Sequence, residues 1–497
     1  LLAQKLVLSY ASKIAVQFIQ MAAMFVVARI VGPNVLGTVA FGLAFVSMFL
    51  FVSDLGLSSA HMKLISEGQD EAKCIGTFGR LKIILTGVFV LVVLSVFFSQ
   101  KYLFNVKFES KEHEYVIFIY LIIVAIGQLL YIATSTFAAK TEQAKQDLPN
   151  FLQTLAYQIL RVIVVLLGFR AIGLSLANLG AVLLVIPVYY LLFKDYKIGK
   201  FDKELAKKYL TISIPVFVIL IAQTVVYSTD RVILQYLTNS EEVGYYAAGF
   251  GISQFIRIIE SSAGILFFPL FSKNIAENEF DSLNKSVNKY ERFTLAFIFP
   301  VVIFIVICSD LVVQLSLGHK FIQTIPILSL VTLSMFVSVT NLPYINIISG
   351  KGLFRLSATI YVATAVIFVG LAFLFVSPSL LNLKGIGVAL SLLLTNIILG
   401  TVFMIYVSKK QSEVIILHGK YMLIYGIIFL IIGYLIYNFL IFGLVWKIIF
   451  SVLFFILYFL LSYFLGIIKK EDWLMVLEIT NIKKLLNYIN TEIKFRK

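Results

Sequence analysis

Three arginines stand inside long apolar stretches of this chain: Arg161, Arg231 and Arg257. An ionisable side chain in a membrane-spanning helix costs roughly 2.5–3.5 kcal/mol even on the mildest scale, so each marks a candidate functional position. A guanidinium carries its donors in a planar fork that grips phosphate oxygens in pairs. Three of them suit an anionic cargo. Arg29 near the outer end of the first span and Lys13 near its inner part could extend a cationic path. Arg231 ranks first for a cavity role and Arg161 second.

The acids compete with that reading. Glu260 follows Arg257 by three residues and shares its helical face, so an internal ion pair is the plain alternative there. Asp230 and Arg231 are neighbours and leave a helix about 100° apart, so they are not expected to cancel. Asp54 is the main acidic candidate. It could close a gate by pairing with a cation of the other half, bind a coupling ion, or make a packing contact within its own half. Asp54, Asp230 and Glu260 form the candidate gate and ion-coupling set. Amides within apolar stretches, such as Gln158, Asn341 and Asn396, could line a sugar path or simply join helices.

Chemistry that breaks bonds has no constellation here, so an enzyme is not expected. His61 and His113 lack metal-ligand spacing, and Cys74 and Cys308 fit no disulfide or metal framework. Gly350-Lys351-Gly352 lacks the spacing of a phosphate-binding P-loop. No cofactor is expected beyond a coupling ion, H+ or Na+.

The elements that must position these residues follow from composition. Sixty per cent of the 497 residues are apolar and 13% are charged, with a net charge of +15. A soluble fold could not hide so much apolar surface, and lipid is the natural solvent. Apolar runs ended by charge, Gly or Pro predict an all-α integral membrane protein with fourteen spans, the second at 38–62, the third at 82–98 and the eighth at 244–271. The chain starts at Leu1 rather than Met, and its natural start is expected to lie upstream.

Lys and Arg set the orientation. Fourteen spans place 30 of the 41 cations on the side of the two termini and eight on the other, with three inside spans. Both termini are therefore expected in the cytoplasm. The excess charge reflects this topology and attraction to anionic lipid; nucleic acid is not an expected partner. Residues 194–208 (KDYKIGKFDKELAKK) read as a basic cytoplasmic linker, and 469–497 as an amphipathic interfacial tail.

The chain also repeats itself. Gly37-Thr38-Val39-Ala40-Phe41-Gly42 and Gly244-Tyr245-Tyr246-Ala247-Ala248-Gly249 both read G-x-x-A-x-G at equivalent spans. Ile172-Gly173-Leu174-Ser175 and Ile386-Gly387-Val388-Ala389 open the sixth and twelfth spans alike. Two pseudo-symmetric six-helix lobes are expected, helices 1–6 over 1–193 and helices 7–12 over 209–408, with helices 13 and 14 over 420–468. Parallel repeats of this kind suit alternating access by rocking. Residues 421–446 hold no charge, so the added pair is expected to face lipid or a polyprenyl tail.

At this point the residues resemble a known family. Arg29-Ile30-Val31-Gly32-Pro33-Asn34 with Ser53-Asp54-Leu55-Gly56-Leu57, and Thr229-Asp230-Arg231 with Glu242-Val243-Gly244-Tyr245-Tyr246-Ala247, are similar to landmarks of Wzx-type polysaccharide flippases. Ser349-Gly350-Lys351 and Gly385-Ile386-Gly387 resemble later ones, and the likeness covers about 1–408. These flippases belong to the multidrug/oligosaccharidyl-lipid/polysaccharide (MOP) superfamily. The resemblance implies a two-lobed fold with a polar central cavity, residence in the cytoplasmic (inner) membrane, and a polyprenyl-pyrophosphate-linked oligosaccharide as cargo. It implies membrane lipids and other polysaccharide-assembly membrane proteins as partners. An ion-coupled multidrug exporter of the same superfamily is the alternative, though its cationic substrates would favour acids over arginines. A membrane-embedded glycan polymerase or glycosyltransferase is a further alternative, disfavoured by the short outer loops.

Overall fold

The computed structural model describes residues 2–277, 279–410, 417–439 and 443–464, and no β-strand occurs among them. The expected tail at 469–497 lies outside the described residues. The helices are α1 (Leu2–Ser47), α2 (Leu50–Asp54), α3 (Leu57–Ser66), α4 (Glu71–Phe98), α5 (Lys111–Ala139), α6 (Gln143–Leu166), α7 (Ala171–Phe193), α8 (Lys203–Leu237) and α9 (Ser240–Ala276). They continue as α10 (Phe280–Phe293), α11 (Phe299–Ile307), α12 (Ser309–Ser316), α13 (Thr324–Gly350), α14 (Phe354–Val376), α15 (Lys384–Lys410), α16 (Leu417–Phe439) and α17 (Leu444–Phe464). Among the described residues, eleven helices are long and apolar enough to cross a membrane. The protein is a multi-pass membrane protein.

The second and third expected spans differ from their sequence reading. The one expected at 38–62 is not a single helix. It starts just after Gly32, whose φ of 79° breaks α1 in a conformation that a Cβ disfavours. It breaks again at Leu55 and Gly56, with φ of 48° and 82°, which separates α2 from α3. The span expected at 82–98 begins instead at Glu71, where the Asp70 side chain accepts the Lys73 backbone N–H at 3.0 Å. An N-cap satisfies an orphan donor of the first turn, and here it carries the helix through charged residues that hydropathy alone excludes.

Contacts group the chain into two compact units. One comprises Val16–Ala248 with Phe354–Thr395; the other comprises Leu1–Ala15, Gly249–Leu353 and Asn396–Lys497. In the first, the linker after α7 is pinned to α4. Gly199 N donates to Ala72 O at 2.7 Å and Asp202 N to Thr77 Oγ1 at 3.1 Å. The Asp202 carboxylate then caps α8 by accepting from Glu204 N and Leu205 N. Those backbone hydrogen bonds, Leu205 first, hold its carboxyl below the usual range. His61 lies buried beside this junction, bonded through Nδ1 to Tyr209 Oη at 2.7 Å and through Nε2 to Thr136 Oγ1 at 3.0 Å.

In the second unit, α16 and α17 have a docked face as well as an apolar exposed one. Asp310 pairs with Lys447 at 2.6 Å and accepts from Tyr437 Oη at 2.7 Å. Burial would raise the Asp310 carboxyl, but the Lys447 and Tyr437 hydrogen bonds outweigh it and hold it low. Tyr458 Oη donates to Leu295 O at 2.9 Å, at a π-helical turn (Thr294–Ile298) between α10 and α11. A Cβ at Gly426 would collide with the Phe299 ring. Ile427, Ile428, Ile431 and Ile432 remain exposed on the opposite side. The added pair is thus anchored on α11 and α12 as well as facing outward.

Candidate functional site

The first unit holds most of the candidate residues, and chain order sorts them by depth. α8 rises for 35 residues from the linker, roughly 50 Å at 1.5 Å per residue. Arg231 lies near its far end. Arg29 precedes the Gly32 break, and Arg161 lies in the last two turns of α6. All three therefore sit toward the end of the bundle away from the linker.

Arg161 is held by neutral groups. Its Nη2 donates to Gln20 O at 2.7 Å, which ties α6 to α1. Its guanidinium lies 5.3 Å from the Tyr157 ring centroid. Nε is buried and has no partner, and no carboxylate pairs with this arginine among the described residues.

Arg231 is different. Its Nη1 lies 3.5 Å from Asp230 Oδ1 and donates to Tyr227 O at 3.2 Å. The expectation that adjacent positions would keep the two charges apart is corrected here. The arginine side chain is long enough to fold back along α8 to its neighbour. Asp230 is fully buried and is chiefly satisfied elsewhere, accepting from Arg231 N at 2.7 Å and Tyr246 Oη at 2.9 Å. Arg231 keeps an edge on the Tyr246 ring at 5.8 Å. Tyr246, from the G-x-x-A-x-G motif of α9, is a partner that sequence reasoning did not single out.

Asp54 pairs within its own half, not with a cation of the other. At the C-terminus of α2, its Oδ1 meets Lys82 Nζ at 2.7 Å and accepts from Ser58 Oγ. Lys82 is fully buried, 5.3 Å from the Tyr131 ring centroid. The expected third span begins at Lys82, but because α4 starts early Lys82 falls three turns inside the helix. The Asp70 cap was the signal that could have revealed it.

Arg29 and Arg257 are exposed. Arg257 belongs to the second unit, and the side chains of its expected partner Glu260 and of Lys13 lie outside those described. Asn341 and Asn396 join helices: Asn341 Nδ2 donates to Asn396 O at 3.0 Å, and Asn396 Nδ2 to Ser334 Oγ at 2.9 Å.

At the end away from the linker, the loop before α5 grips the start of α9. Glu109 accepts from Ser240 N at 2.8 Å, Ser240 Oγ at 2.6 Å and Gln235 Nε2 at 2.6 Å. His113 Nε2 lies 2.7 Å from Ser240 Oγ. Partial burial would raise the Glu109 carboxyl, but the Ser240 and Gln235 hydrogen bonds and the nearby His113 hold it below the usual carboxylate range. A carboxylate at a helix N-terminus satisfies orphan N–H groups and meets the positive end of the dipole. Next to this latch, α1 and α9 cross at Gly37 and Gly244.

A broken second span, membrane arginines and a motif repeated in both halves now stand together, and the chain can be compared with known proteins. The family described as "Polysaccharide biosynthesis protein" matches residues 26–326. The chain belongs to that family. Comparison with curated proteins finds no match. Among solved structures, a lipid II flippase MurJ in an inward closed conformation is similar at TM-score 0.73 and 16% identity, over 92% of this chain and 98% of that one. An inward-facing multidrug resistance MATE family transporter of the MOP superfamily aligns at TM-score 0.63 and 18% identity, over 80% and 96%. A MOP superfamily transporter from Pyrococcus furiosus aligns at 0.51 and 18%, over 81% and 95%. At these identities the likeness is one of fold. This family member therefore has the MOP transporter fold.

Proposed function

We propose that this chain is a flippase that moves a polyprenyl-pyrophosphate-linked oligosaccharide from the cytoplasmic to the outer leaflet of the cytoplasmic membrane. The observation that carries the reading is Arg161, a membrane arginine whose partners among the described residues are Gln20 O and the Tyr157 side chain rather than a carboxylate. In a polysaccharide biosynthesis family member, the matching anion is the pyrophosphate of a lipid-linked glycan. Arg231 and Arg29, toward the same end, supply further positive charge. Arg257 and Lys13 are assigned to the path on their sequence positions.

Fourteen spans, two six-helix lobes and cytoplasmic termini are the topology we propose, supported by the cation asymmetry. Under that orientation the arginines lie in the outer half of the membrane. The Glu109–Ser240 latch then closes the outer end, and opening it alternates access. Translocation breaks no bond, so an H+ or Na+ gradient or the membrane potential is the proposed driving force.

The test is export of surface polysaccharide in cells carrying Arg161→Ala, Arg161→Lys or Arg231→Ala as their sole copy. The protein level in membranes is measured in parallel. The reading expects Arg161→Ala to abolish export at normal protein level, and Arg161→Lys to retain part of it, because charge survives while the planar fork does not. Full export by Arg161→Ala would sink the anion-site assignment.

A further inference from the structure

A cavity of about 590 Å³ opens in the first unit among α4, α5, α7 and the linker, apart from the arginines described above. Its walls are apolar. Ile83 and Leu129 are exposed in it, and Ile132 and Ile186 line it further. Its rim carries two cations, Arg80 from the third turn of α4 and Lys200 from the linker. Neither forms an ion pair or a hydrogen bond through its side chain among the described residues. Leu129 lies ten residues before the end of α5, so the groove runs roughly 15 Å from the linker end into the apolar span.

We infer that this groove binds an anionic phospholipid of the leaflet on the linker side, its phosphate held by Arg80 and Lys200 and an acyl chain laid along Ile83, Leu129 and Ile186. An apolar channel that ends in unpaired cations at the membrane boundary matches a molecule with a fatty chain and a phosphate headgroup. A free phosphate would leave the apolar wall uncovered. The linker already meets α4 closely at this point: a Cβ on Gly199 would come within 2.7 Å of Ala72 O. Because one headgroup ligand comes from the linker and the other from α4, a bound lipid would also clamp the linker where it joins the two sequence halves.

The experiment uses the full chain in detergent, incubated with phosphatidylglycerol or phosphatidylcholine of identical acyl chains, with retained lipid counted by native mass spectrometry. Two cations facing one headgroup predict a roughly tenfold preference for phosphatidylglycerol. Arg80→Ala combined with Lys200→Ala should erase that preference. Lys107→Ala with Lys320→Ala, which removes the same charge elsewhere, should keep it. Gly79→Leu should reduce retention of both lipids, because a Cβ there meets only Ile132 at 4.0 Å and the added chain fills the groove. Equal retention of the two lipids overturns the proposal. So does a preference that survives in the double variant. Displacement of phosphatidylglycerol by equimolar polyprenyl phosphate would assign the groove to the cargo lipid and overturn it as well.

Discussion

Gly37 and Gly244 lie at one helix crossing where neither has room for a side chain. A Cβ on Gly37 would collide with Ser240 O and lie 2.7 Å from Gly244 N, and one on Gly244 would collide with Pro33 O. These are equivalent positions of the two G-x-x-A-x-G motifs. The internal repeat therefore meets itself, backbone to backbone, where α1 and α9 cross. Membrane helices lack a hydrophobic force between them, and close backbone approach supplies the dispersion contacts that hold such a crossing.

Gly37→Ala or Gly244→Ala should each destabilise the protein by about 1–3 kcal/mol, the usual cost of overpacking, since backbone and not a flexible side chain stands in the way. The buried free thiols of Cys74 and Cys308 report unfolding to a thiol-reactive dye during heating. Gly87→Ala is the control, because a Cβ there meets nothing within 4 Å. Equal melting temperatures for all three variants and the parent would refute the tight crossing.

The Asp54–Lys82 pair should behave as structure. Asp54→Asn leaves the fully buried Lys82 without its counter-charge, at a cost of roughly 3–5 kcal/mol. Asp54→Leu with Lys82→Met should recover much of that loss, since an apolar pair of similar volume avoids the desolvation cost. The same dye assay reads both. A stable Asp54→Asn variant that has lost export would instead assign Asp54 to gating or ion coupling.

The Glu109 latch should fail only in acid. Its carboxyl is held below the usual value, so its contribution is present above the ordinary carboxylate pKa and is lost as pH falls through the depressed one. Protection of the Ser240 amide against hydrogen exchange, corrected for the intrinsic rate, should stay flat from neutral pH to about 5 and fall only below about 4. Glu109→Gln should lower that protection across the whole range, because an amide oxygen is a weaker acceptor for three donors. A parent protein whose protection drops between pH 7 and 5 would point to His113 rather than Glu109.

The membrane class, most of the helices, the repeat and the list of intramembrane arginines were legible in the one-dimensional chain. Each depends on quantities that a segment carries by itself: the transfer free energy of about 20 residues into lipid, the bias of cations to one side, the small residue that a close helix crossing demands. Even the early start of α4 was written locally, in the Asp70 cap.

The tertiary structure decided which partners these residues have. That Asp54 meets Lys82, that Asp230 meets Tyr246 as well as Arg231, and that Arg161 finds Gln20 O and, among the described residues, no acid depend on how each helix is rotated and how far it slides against its neighbours. A shift of one residue turns a helix by about 100° and exchanges every partner while leaving its hydropathy unchanged. Gly37 and Gly244 could be recognised in sequence as small and equivalent, but only the packing of α1 on α9 brings one against the other.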